Sequence, residues 1–126
     1  MWGRRLTLAN AVIRLGYGLA ALASPSKPVF GKVPLAPDTE AFPEARLFVR
    51  GFATHQIGVG LFGIAGALQP RLRRPAMLLA AAIDVSDIAS AAVEAAARKR
   101  MEPDLSGGMA FSAAGLASAL AALRDD

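Results

Sequence analysis

Four apolar stretches recur along the chain, at Leu6–Ser24, Arg46–Leu68, Pro75–Ala97 and Leu105–Leu123, each flanked by basic residues, prolines or both. A helix rises about 1.5 Å per residue, and roughly twenty residues cross a hydrocarbon layer of about 30 Å. Each stretch has that length, so the pattern predicts four membrane-crossing helices. Between the first two, Pro25, Pro28, Pro34, Pro37 and Pro43, with Gly31, oppose a long helix. Residues 25–45 are therefore either a cap over the bundle or slack between helices. Pro75 reads as the first-turn proline of the third helix. The other connections are short enough to favour antiparallel neighbours. The expected fold is all-α: a single integral-membrane domain over residues 1–126, built as an up-down-up-down four-helix bundle.

A soluble bundle is the competing reading. Alanine forms helices well but is weakly hydrophobic, and the charges in the first three stretches permit amphipathic helices. Leu105–Leu123 decides between the two, because it contains no ionisable residue. A helix apolar on every side needs either a large surrounding protein or lipid. A chain of 126 residues cannot readily supply the first. The start, with Arg4 and Arg5 ahead of an apolar run, resembles a signal peptide. The run is long for one, however, is interrupted by Arg14, and leads into further membrane-like sequence.

Composition sharpens this picture. Apolar residues make up 54% of the chain and charged residues 19%, which excludes an intrinsically disordered chain. The absence of cysteine removes disulfides, thiol nucleophiles, Cys-ligated zinc and iron–sulfur clusters, and the single histidine argues against multi-histidine zinc sites. No haem-type histidine pair or phosphate-cradling glycine loop is present, so no cofactor is implied. The net charge of +4 does not indicate nucleic acid, because the basic residues cluster between apolar segments as membrane flanks. Arg4, Arg5, Arg71, Arg73, Arg74 and Arg124 fall on one side; Lys27, Lys32, Arg46, Arg98, Lys99 and Arg100 fall on the other. That balance leans toward cytoplasmic termini in a bacterial cytoplasmic membrane only because the 25–45 loop dilutes its lysines. The glycines are expected as close-packing positions, with a subset free to leave a pocket.

Candidate chemistry lies in the polar residues inside the spans. Arg14, His55, Asp84 and Asp87 fall well within them, with Arg50 and Glu94 nearer the ends. Counting about 1.5 Å per residue from the flanks puts Arg14, His55 and Asp84 at comparable depth. A charge facing lipid at a helix centre costs roughly 2.5–3.5 kcal/mol, so these groups should face inward and find partners. The expected arrangement pairs Arg14 with Asp84 and sets Asp87 close to Arg50 or His55, with Asn10, Gln56, Ser86 and Ser90 as hydrogen-bonding neighbours. Asp84 and Asp87, three residues apart on one helical face, form a carboxylate pair able to supply an acid and a base. His55 could serve as either, and Arg14 or Arg50 could orient a substrate or hold an anion. A structural ion pair between Arg14 and Asp84 is the plainer alternative. A dicarboxylate metal site is disfavoured by the adjacent arginines.

The residues Arg14, Leu15, Gly16, Tyr17 and Gly18, the ending Ala23, Ser24 and Pro25, then Arg50, the run His55 to Gly60, and Asp84 resemble small four-helix membrane families around the DoxX-like group, especially the DUF4267-type proteins. Members often carry a second Arg followed by Asp or Glu where this chain has His55 and Gln56. That departure loses a cation and a carboxylate and leaves Asp87 as a local replacement. The resemblance implies the fold more than the chemistry: some relatives look like quinone-linked redox subunits, and similar small membrane proteins act on lipophilic metabolites. Three functions are thus expected in competition. One is a cofactor-independent enzyme for a lipophilic metabolite, performing isomerisation, cyclisation or epoxide opening with Asp84, Asp87 and His55. The second is a structural or accessory subunit of a membrane complex, or a homo-oligomer. The third is a quinone-linked redox component.

Overall fold

Alanine, leucine and glycine dominate each apolar stretch, and with main-chain hydrogen bonds closed within the segment the helix is the form such sequence takes in an apolar medium. The computed structural model describes residues 2–24, 29–30, 33–34 and 46–125. Among these residues four helices account for nearly all regular structure: α1 Trp2–Ala23, α2 Arg46–Leu68, α3 Pro70–Arg98 and α4 Pro103–Arg124. All four are long and apolar enough to cross a membrane. Val29–Phe30 and Val33–Pro34 form a minimal antiparallel ladder, β1 and β2, and β2 lies against α4. The rest of the proposed 25–45 cap lies outside the described residues.

Two helices start well ahead of the expected positions, and one of them is α1, which begins at Trp2 rather than Leu6. Helix α3 begins at Pro70, and Pro75 lies inside it rather than at its first turn. Pro70 supplies the fixed φ and the dispensable N–H that favour proline at a helix start, so the first-turn role falls to it. At the other end Lys99 adopts the left-handed conformation (φ 56°), with Lys99 N–H donating to Ala96 O and Arg100 N–H to Ala95 O. This is a Schellman-type stop. Helix α4 restarts at Pro103, its first-turn proline.

The helices form a ring in which α1 meets α2 and α4, and α3 meets α2 and α4. The core is built from small residues: Val59, Ala76, Met77, Ala80, Ala81, Ala119 and Ala122 are buried together, with Leu6, Phe62, Ile83, Leu116 and Leu123 at its edge. Large apolar side chains such as Leu19, Leu47, Leu61, Leu79, Val85, Val93 and Leu120 point outward instead. In water that distribution would be costly; facing acyl chains it costs little.

Small residues inside let backbones approach. A methyl group added at Gly18 would lie 2.7 Å from the carbonyl oxygen of Ala53 and 2.8 Å from Ile57, and one at Gly60 would lie 2.9 Å from the carbonyl of Ala11. Gly16, two residues from Gly18, faces open space. The contrast gives a test of the α1–α2 contact. Gly18→Ala should lower thermal stability in detergent by about 1–3 kcal/mol, because backbone rather than a flexible side chain blocks it. Gly16→Ala should be neutral, or stabilising by up to about 1 kcal/mol, from helix propensity alone. Equal melting temperatures for the two variants would contradict this packing.

Candidate functional site

A guanidinium within an apolar bundle requires partners for its donors, and Arg14 finds them on three helices. Its Nε donates to Asn10 Oδ1 on α1 at 2.8 Å, one Nη donates to Gln56 Oε1 on α2 at 3.0 Å, and the other forms an ion pair with Asp84 Oδ2 on α3. The fourth helix joins through Asn10, whose Nδ2 donates to the Gly115 carbonyl at 3.1 Å and to Ser118 Oγ at 2.6 Å. Arg14, Asp84 and Gln56 expose 2%, 1% and 1% of their surfaces, so the pair is sealed from solvent.

Gly115 makes the space for it. A methyl there would lie 2.7 Å from Asp84 Oδ2 and 3.0 Å from Arg14 Nη. The pair thus rests directly against the α4 backbone. This cluster has its charge balanced and its carboxylate committed.

One turn further along, the environment changes. Asp87 is half-buried, its Oδ2 lies buried without a hydrogen-bond partner, and the hydroxyl of Tyr17 is in the same condition. Both line a cleft of about 390 Å³ between α1, the N-terminal parts of α2 and α4, and the C-terminal half of α3. Its walls are aromatic, formed by Phe48, Phe52 and Phe111 together with Tyr17, with Ser90 and the buried Ser112 as neutral polar groups. Glu94, Arg98 and Asp104 line the end nearest the α3–α4 turn. There Arg98 pairs with Glu94 at 2.7 Å, with Glu102, and with Asp104 at 3.6 Å.

The structure brings together Asn10, Arg14, Gln56 and Asp84, and sets Asp87 beside them in the cleft. It does not bring in His55 or Arg50. Both are exposed, and neither lines the cleft or forms an ion pair with Asp87 among the described residues. Asp87 forms no hydrogen bond or ion pair with Arg50 or His55 among the described residues. The reason is helical phase: consecutive residues turn by about 100°, so the inward position goes to Gln56 and leaves His55 outside. Ser86 also points outward. Depth alone matched all three groups, but rotation about the helix axis separates them.

Tyr17, Ser112 and Ser118 are the residues sequence reasoning missed. Tyr17 had a signal, since it stands three residues after Arg14 and hence on the same face, as Asp87 does relative to Asp84. Ser112 and Ser118 had none, lying in a helix whose serines, alanines and glycines are distributed all round.

No protein-family model, curated protein or solved structure matches the chain.

The Arg14–Asp84 arrangement predicts strong non-additivity. Asp84→Leu alone leaves a buried guanidinium unpaired and should cost about 3–5 kcal/mol, whereas Arg14→Met with Asp84→Leu should recover most of that loss. Detergent thermal unfolding of the two single variants and the double variant measures the coupling. Simple additivity would show that the pair does not hold the helices together.

Proposed function

We propose that this protein is an integral-membrane four-helix bundle that binds a lipophilic small molecule in the aromatic-walled cleft and exchanges a proton with it through Asp87. The observation that carries this reading is that Asp87 lines a cleft of about 390 Å³ and has one carboxylate oxygen buried without a hydrogen-bond partner. Native interiors leave few buried polar atoms without partners, and a ligand group is one way to complete such an atom. Pockets of roughly 300–1,000 Å³ with mostly apolar walls and a few polar groups suit small-molecule binding.

The alternating direction of the helices is part of the proposal. Gly18 faces Ala53 while Gly60 faces Ala11, and Tyr17 meets Phe111 while Asn10 reaches Ser118. Those reciprocal contacts support an up-down-up-down order. The placement of both termini on the cytoplasmic side is supported by the arginines. Arg98 and Arg100 at the far end are engaged by acidic residues, whereas Arg4, Arg5 and Arg124 at the terminal end have no ion pair among the described residues and can meet anionic headgroups.

In this reading Arg14 and Asp84 are positioning residues that hold α3 in register, and Asp87 is the group that touches the bound molecule. Tyr17 and Ser112 supply hydroxyls that donate to or accept from the same polar group. Proton-transfer reactions of a lipophilic metabolite (isomerisation, cyclisation or epoxide opening) need only such groups and a site from which water is excluded. An accessory-subunit role accounts for the Arg14 cluster, since that cluster joins all four helices, but it leaves Asp87 and the cleft unexplained.

The test uses protein reconstituted in nanodiscs and a prenyl alcohol bearing a photoreactive diazirine. Adducts should concentrate on peptides containing Phe48, Phe52 and Phe111, and Ala91→Phe, which fills the cleft, should reduce them at least about tenfold. Labelling spread evenly over the lipid-facing helices, or unchanged in Ala91→Phe, would refute a cleft site. Asp87→Asn should keep the melting temperature while slowing opening of a prenyl epoxide about 10²–10⁴-fold, the usual range for a lost acid–base group. Product formation by gas chromatography reads this directly.

A further inference from the structure

The cleft also carries information about the charge of what enters it. Tyr17 meets Phe52 edge-on with ring centroids 5.9 Å apart, and Phe111 at a tilt with centroids 5.2 Å apart. Aromatic faces present the negative part of the ring quadrupole, and a cation within about 6 Å of a ring centroid is attracted to it, most strongly where water is excluded. Beside these rings lies Asp87, with one oxygen buried and unpaired. Glu94 and Asp104 add two further carboxylates to the lining. Arg98 is the cation of the lining, and its guanidinium is engaged by Glu94, Glu102 and Asp104.

The interior charges point the same way. Arg14 is matched by Asp84, while Asp87 forms no ion pair among the described residues and keeps one oxygen without a hydrogen-bond partner. An anionic ligand would face three carboxylates, and the nearest buried guanidinium is already neutralised behind them. A bare metal ion fits poorly, because the described residues contain no group of three His, Cys, Asp or Glu side chains placed to hold one. A positive head on a hydrocarbon body suits the rings and Asp87, with the charge of Arg98 at the far end offset by its acidic partners.

We infer that the cleft is a binding site for a lipophilic organic cation, an amine or ammonium group on an apolar body, with Asp87 as its counter-ion and Tyr17, Phe52 and Phe111 as its aromatic cage. The inference rests on the reading of this cleft as a ligand site and specifies the class of molecule that fills it. A protonated amine also provides a partner for proton exchange at Asp87, giving up its N–H proton to the carboxylate and regaining it on leaving.

Benzyltrimethylammonium and neopentylbenzene share one shape and differ by a nitrogen cation in place of a carbon, so the two separate charge from fit. Each competes against the diazirine prenyl alcohol in nanodiscs, at matched membrane-phase concentrations. The ammonium compound should displace the cleft label at a concentration at least tenfold lower than the hydrocarbon. That preference should shrink to near parity in Asp87→Asn and fall at least threefold in the Phe52→Leu, Phe111→Leu double variant, with both variants checked by thermal unfolding. Equal displacement by the two compounds, no displacement by either while the label still enters the cleft, or a preference that survives Asp87→Asn would each overturn the cation assignment and leave the cleft as a site. Failure of the probe to label the cleft at all would remove both readings.

Discussion

A charge in an apolar medium must be answered, and Arg14 is the charge around which this bundle is arranged. A guanidinium offers five donors in a rigid planar fork, so it can bind several acceptors in different directions at once. Here it takes Asn10, Gln56 and Asp84 from three helices, and Asn10 passes the connection to Gly115 and Ser118 on the fourth. Lysine, with a compact ammonium, would not reproduce that geometry. The apolar core is made of alanines, one valine and one methionine, whose packing alone fixes register weakly. Directional polar bonds at one level of the membrane supply the register that apolar contacts leave loose.

The same constraint accounts for the different fates of two aspartates only three residues apart. Asp84 points at Arg14 and is sealed against Gly115, whereas Asp87 points one turn further toward the α3–α4 end, where α1 presents Tyr17 rather than a cation. Carboxylates that look interchangeable in the sequence are therefore divided by their surroundings into one that holds the fold and one that remains available. Environment, not residue type, makes that distinction.

The long apolar runs and their prolines made the helices legible; α2 spans the residues its hydropathy delimits, while α3 begins earlier because Pro70, not Pro75, starts it. Depth was legible too, since rise per residue is fixed: Arg14 and Asp84 meet as counting from the flanks requires. Rotation was not. Helices rich in small apolar residues on every side carry no clear inward stripe, so nothing in the sequence marked Gln56 as buried and His55 as exposed. The cleft was illegible for a related reason, because its walls come from side chains on four separate helices whose phases must all be known first.

The clasp of Arg98 on Glu94, Glu102 and Asp104 fixes one end of a pair of unlike helices. It ties α3, which carries two aspartates within its apolar length, to α4, which has no ionisable residue from Leu105 to Leu123. A turn held in this way keeps a helix with two interior carboxylates beside one that is apolar on every side. Asp84 lies 70 residues after Arg14 in the chain, so their ion pair closes a long loop that contains the whole of α2. The contact that fixes register is therefore one that no helix can make from its own neighbourhood; it forms only once distant parts of the chain have come together.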